Sequence, residues 1–230
     1  WLIRAKPRPA EKGASSWLAQ LAAGFRYAYG FVPTRSALLL LSAVSFSVQP
    51  YQSLAPYFAR DVFHGGSETL GYLIGAGGFG AVSGMVYLAL KPSVRGLLSL
   101  IPFTGATAGA ALIAFSFSSS LWIALPMLFL VGMGAMLSAA STNTVLQTIV
   151  EDRMRARVVS IYMMSFLGVA PLGALLAGML AERIGPPATL ALGGTLALCA
   201  AFLYWINLPG IRRAIRPVYE KLGIVPRSDE

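Results

Sequence analysis

The stretch "EDRMRARVVS", residues 151–160, places Glu151, Asp152, Arg153, Arg155 and Arg157 within seven positions of a chain that is 56% hydrophobic and only 12% charged. Apolar runs of about twenty residues or more lie on either side. At roughly 1.5 Å of rise per helical residue, each can cross a hydrocarbon core of about 30 Å. The charge cluster therefore reads as a loop between two membrane spans. Working outward, apolar runs bounded by charge, Pro or Gly predict six helices: 36–58, 67–90, 97–117, 121–148, 158–181 and 188–208. The predicted fold class is an all-α membrane protein with six transmembrane helices.

Composition argues against a water-soluble domain, which carries about 25% charged residues, twice the fraction here. The net charge of +9 does not indicate nucleic acid as a partner, because the basic residues stand in short blocks between apolar runs and form no continuous stripe. Topology explains them better. If both ends are cytoplasmic, 16 of the 18 Lys and Arg residues fall on the inner side, including Arg4, Lys6, Arg8 and Lys12 near the start, Lys91, Arg95, Arg153, Arg155 and Arg157 in loops, and Arg227 near the end. Only Arg60 and Arg183 fall outside, which is the positive-inside pattern of a multi-pass protein. The partner this requires is a lipid bilayer.

Three regions follow. Residues 1–35 form a cytoplasmic segment in which Trp17, Leu21 and Phe25, with Leu18 and Ala22, make one apolar stripe. That stripe predicts an amphipathic helix on the membrane surface, stopped by Pro33. Residues 36–209 form the transmembrane domain, and 210–230 a basic cytoplasmic tail. The start at Trp1, without Met and without a signal-peptide pattern, reads as a piece of a longer protein. Cys199, the single cysteine, lies in an apolar run and is expected to be packed and inert.

Inside the spans the informative residues are polar. Gln49, Tyr51 and Gln52 in the first span, and Asn143 and Gln147 in the fourth, cannot face lipid without a cost of several kcal/mol in unmet hydrogen bonds. They are expected to line a cavity that takes a small-molecule substrate, or to bond neighbouring helices. Glycines four apart, such as Gly71/Gly75, Gly80/Gly84 and Gly105/Gly109, together with Gly173 and Gly178, are expected at close helix contacts. Pro50, Pro56, Pro126 and Pro171 mark expected kinks. No Asp, Glu, Lys or Arg lies in the middle of a predicted span. The sequence therefore supplies no intramembrane proton carrier, catalytic group or metal site, and it calls for no enzyme activity, cofactor or metal. His64 in "FHGGS" lacks a nucleophile or acid to work with and reads as a turn residue. "GAGGFG", residues 75–80, has no preceding strand and reads as helix packing, not a phosphate loop.

Several local stretches, in order along the chain, resemble one family: "LAAGFRYAYGFVPTRSALLL" (21–40), "APYFARDVFHGG" (55–66), "LGYLIGAGGFGAVSG" (70–84), "RMRARVVSIYMM" (153–164) and "PLGALLAGML" (171–180). They are similar to the transmembrane secretion effector branch of the major facilitator superfamily, which includes the enterobactin exporters. The chain departs from that pattern in having Arg155-Ala156-Arg157 where the branch often has Arg-Gly-Arg, and in a reduced Lys91–Arg95 loop without Asp. The resemblance implies the C-terminal half of a twelve-helix transporter, its six spans arranged as two inverted three-helix repeats, with a missing N-terminal six-helix half as partner. It further implies the inner membrane, a cavity lined by spans one and four, a cytoplasmic gate or loop built from Arg153, Arg155, Arg157, Lys91 and Arg95, and export of a siderophore or drug by alternating access. The competing reading is a scaffold that transports nothing, or a half-transporter needing a second chain.

Overall fold

The computed structural model describes residues 17–91 and 93–224, with side chains from residue 24 onward. Every regular element among them is helical. In chain order these are α1 (Trp17–Gly30), α2 (Val32–Val48), α3 (Tyr51–Tyr57) running into a π-turn at Phe58–Val62, α4 (Ser67–Leu90), α5 (Leu97–Ser116), α6 (Leu121–Ile149), α7 (Asp152–Met163), a π-turn at Met164–Gly168, α8 (Ala170–Ile184) and α9 (Pro186–Lys221). Five segments are long and apolar enough to cross a membrane: α4, α5, α6, the continuous Asp152–Ile184 and α9. A sixth candidate joins Gly24–Gly30 to Val32–Val62 across a bend of 101°. The first segment stands apart because Gln49, Tyr51 and Gln52 dilute its apolar run.

Helix α5 is the most enclosed, burying Leu97, Ile101, Ala108, Leu112 and Phe115 against α6 and α9. Helices α4 and α8 are peripheral. They present Tyr72, Phe79, Val82 and Tyr87, and Leu172, Leu175, Leu176 and Met179, on open faces. Apolar faces of that extent are untenable in water, whereas helices that satisfy their own backbone are the structures a bilayer admits. The surrounding medium is lipid.

Where lipid is the solvent, helix contact depends on close packing, and small residues provide it. A Cβ at Gly80 or Gly84 of α4 would meet the Phe129 and Met133 carbonyls of α6, the second at 3.0 Å, and one at Gly132 would overlap Gly77. A Cβ at Gly134 would come within 2.6 Å of the Thr104 carbonyl, where α6 meets α5, and one at Gly109 within 2.7 Å of the Gly194 carbonyl, where α5 meets α9. Gly173 and Gly193 lie over the Phe46 and Ser47 carbonyls of α2. Pro50 has no N–H, so the Phe46 carbonyl four residues earlier lacks its usual helical donor. The close approach of Gly173 covers that carbonyl with backbone instead of lipid.

Several sequence expectations change. The charge cluster is not a loop: α7 begins at Asp152, so all but Glu151 of the five charges stand on its first turns. The reason is a helical stripe of Met154, Val158 and Ile161, all buried, with Asp152 in the first turn favoured by the helix dipole. Likewise the span expected to end at 208 continues as α9 to Lys221, with Tyr204, Leu208, Ile211, Ile215 and Tyr219 forming one buried stripe. The tail expected from 210 is thus helical over its first half, and burial pushes the Tyr219 phenol above its ordinary value. The first helix stops at Gly30 and Pro33 opens the next one. Cys199 is exposed on α9, facing outward instead of packed. Gly178, Gly71 and Gly75 have nothing within 4 Å of a Cβ and seal no contact, because they fall on outward faces. His64 takes a left-handed φ of 51° in the turn before α4. The side chains of Trp17, Leu18, Leu21 and Ala22, and the cations Arg4, Lys6, Arg8, Lys12 and Arg227, lie outside the described residues.

Candidate functional site

A cavity of about 260 Å³ opens between α2–α3, α4 and α6. Its walls are mostly apolar: Leu41, Val44 and Val48 from α2, Ile74 and Ala81 from α4, Val131, Ala135 and Met136 from α6, and Phe166 from the second π-turn. Gly78, with nothing within 4 Å of a Cβ, leaves it open, whereas Gly77 and Gly132 lie on its wall where a Cβ would meet the Tyr51 hydroxyl and the Gly77 backbone. The polar groups come from one place. Ser45, Gln49, Tyr51 and Gln52 all line the cavity, brought there by the break at Gln49-Pro50, where Gln52 N–H bonds the Gln49 carbonyl at 3.2 Å before α3 continues.

Ser45 is buried, and its hydroxyl has no hydrogen-bond partner, a state it shares with Thr34, Ser141, Thr142, Tyr204 and Tyr219. A buried hydroxyl left unpaired costs about 1–3 kcal/mol, and of these six only Ser45 belongs to a residue on the cavity wall. Gln49 is half-buried and Gln52 exposed. Tyr51 is buried, with its hydroxyl against Gly77.

Asn143 and Gln147 do not share this cavity. They bond each other, Gln147 Nε2 donating to Asn143 Oδ1 at 3.0 Å. They lie 7 and 11 residues beyond Met136, two and three helical turns along the same face of α6, or about 10 and 16 Å from it. The two polar clusters are thus stacked along one face, toward the arginine-rich end of the molecule.

At that end the basic residues divide. Arg155 Nη2 pairs with Asp152 Oδ1 at 2.7 Å. Arg95 Nε donates to the Ile224 carbonyl and Arg212 Nη2 to Ser99 Oγ at 2.6 Å, tying α9 to the start of α5. Lys91 caps α4. Arg153 and Arg157 instead line a separate recess together with Arg26. Gly80, Gly84 and Gly173 sit at helix contacts and take no part in either cluster.

Sequence reasoning did not single out Ser45, Gly132 or Phe166. Ser45 was visible as one more serine in a polar run, but its missing partner is a property of the fold. Phe166 reaches the cavity only because the π-turn shifts the register of its helix.

A multi-pass helical bundle with an apolar cavity tipped by polar groups defines the class of integral membrane proteins able to hold a small molecule between their helices. Residues 1–218 match the family model of the transmembrane secretion effector, and the chain belongs to that family of the major facilitator type. No curated protein and no solved structure matches it.

Proposed function

We propose that this chain is the C-terminal six-helix half of a secondary active exporter of the inner membrane, with both ends cytoplasmic. Its spans form two inverted three-helix repeats, and it works by alternating access together with an N-terminal half. The observation that carries the reading is the cavity itself, whose polar lining, Ser45, Gln49, Tyr51 and Gln52, clusters around the break at Gln49-Pro50. Broken spans at the membrane midplane are where such transporters hold substrate. The cavity presents amides and hydroxyls but no ionisable carboxylate or amine, which suits a small amphipathic molecule, a siderophore or drug, recognised by hydrogen bonds and apolar contact. Asn143 and Gln147 extend the path toward the arginine-rich end. There Arg155 with Asp152, Lys91 and the Arg95 tie to α9 form the cytoplasmic gate.

The test is export by cells carrying the complete transporter with Gln49→Leu and Ser45→Val combined. Export is expected to fall at least tenfold, one lost hydrogen bond to substrate being worth about 1.4 kcal/mol or more, with membrane insertion unchanged. Undiminished export by a correctly inserted double variant removes these residues from the substrate site.

A further inference from the structure

Helix α1 crosses the segment that follows it at 101°, so when that segment spans the bilayer α1 lies in the plane of its surface. Three faces of α1 have distinct surroundings. Gly24 and Ala28 are buried, and a Cβ at Gly24 would come within 3.3 Å of Arg157 Cβ and 3.4 Å of Ile161 Cδ1, which docks α1 on α7. Phe25 and Tyr29, their rings stacked with centroids 6.1 Å apart, are exposed, as aromatic anchors of an interfacial helix are. The third face turns Arg26 and Tyr27 into a recess of about 390 Å³, completed by Arg153, Met154 and Arg157 of α7.

Three arginines therefore line one recess, with Glu151 and Asp152 the acids nearest in sequence. Of these, Asp152 is engaged by Arg155, and Glu151 is exposed. Among the described residues no carboxylate pairs with Arg26, Arg153 or Arg157, and the single polar contact of Arg157 is to the Met154 sulfur at 3.5 Å. Convergent like charges repel one another, and planar guanidinium forks match phosphate oxygens in pairs. We propose that this recess binds a phosphate-bearing anion, and that its position at the headgroup layer, beside the exposed Phe25–Tyr29 pair, assigns it to the headgroup of an anionic phospholipid. The site is an anchor that holds α1 against α7, and it does not depend on the transport reading.

The experiment uses the purified full chain in phosphatidylcholine nanodiscs with rising fractions of phosphatidylglycerol, counting phosphatidylglycerol retained per protein by native mass spectrometry. The combined Arg26→Gln, Arg153→Gln, Arg157→Gln variant is expected to bind phosphatidylglycerol on the order of 100-fold more weakly at low salt, each surface cation contributing roughly a fivefold factor. The Arg60→Gln, Arg183→Gln variant, altered at the opposite end, is expected to bind as the unaltered protein does. Should the triple variant fail to fold, Arg26→Gln alone, on an exposed helix face, reads the same effect at about fivefold, and the triple Arg→Lys variant restores part of the binding. A second arm adds millimolar inorganic phosphate in phosphatidylcholine alone. Stabilisation that the triple Gln variant loses, with no retention of phosphatidylglycerol, supports the pocket but moves its source to a free anion. Equal phosphatidylglycerol retention by the triple Gln variant and the unaltered protein, with no response to phosphate, overturns the proposal.

Discussion

Two stretches of the α4–α6 interface use glycine to opposite ends. At Gly80 and Gly84 the backbone of α6 lies so close that no Cβ fits, and the seam is shut. Two residues earlier, Gly78 has nothing within 4 Å of a Cβ and borders the cavity that Ser45 and Gln49 line. The residue is the same and the helices are the same. What differs is whether a backbone or a void stands opposite, so a small residue closes a contact in one place and preserves a space in the other.

The largest test of that contrast is Gly80→Val against Gly78→Val. The first forces a side chain onto the Phe129 carbonyl and is expected to cost about 3 kcal/mol or more, which for a chain of this size lowers the melting temperature in detergent by roughly 6–12 °C. The second is expected to change stability by less than about 0.5 kcal/mol while shrinking the cavity. Equal losses in the two variants would break the comparison. A smaller effect sharpens it from the polar side. Ser45→Ala removes an unpaired buried hydroxyl and is expected to raise stability by about 1 kcal/mol in ligand-free detergent; a loss of that size instead would mean the hydroxyl is already satisfied. Smallest of all is Asp152→Asn, which severs an ion pair far from either stretch. With side chains 46% and 85% exposed, a change of a few tenths of a kcal/mol, fading as salt is added, is expected from melting curves.

The spans were legible because burial in lipid needs long apolar runs, and α4, α5 and α6 begin and end within a residue or so of where hydropathy puts them. The ends of α7 and α9 were not, for a common reason. By composition alone charge marks a loop, yet Met154, Val158 and Ile161, and later Ile211, Ile215 and Tyr219, repeat at helical spacing beneath the charges. Amphipathic periodicity was present in the sequence and outweighed composition. The site was legible in part. Polarity marked Gln49, Tyr51 and Gln52, but which glycines meet a neighbour is settled by helix rotation, and Gly173 and Gly178, five apart, point to different surroundings. Asn143 and Gln147 fall outside the cavity for a different reason: they share the face of α6 that Met136 presents, and where along that face the cavity ends is set by α2–α3 and α4.

Helix α9 runs unbroken for 36 residues, about 54 Å, and carries Pro209 and Pro217 without interruption. Only about 30 Å of that can lie in hydrocarbon, so the remainder extends beyond it, tied to the start of α5 by Arg212 and Ser99. The placing of α5 in the bilayer therefore also fixes where the last turns of α9 stand on the aqueous side.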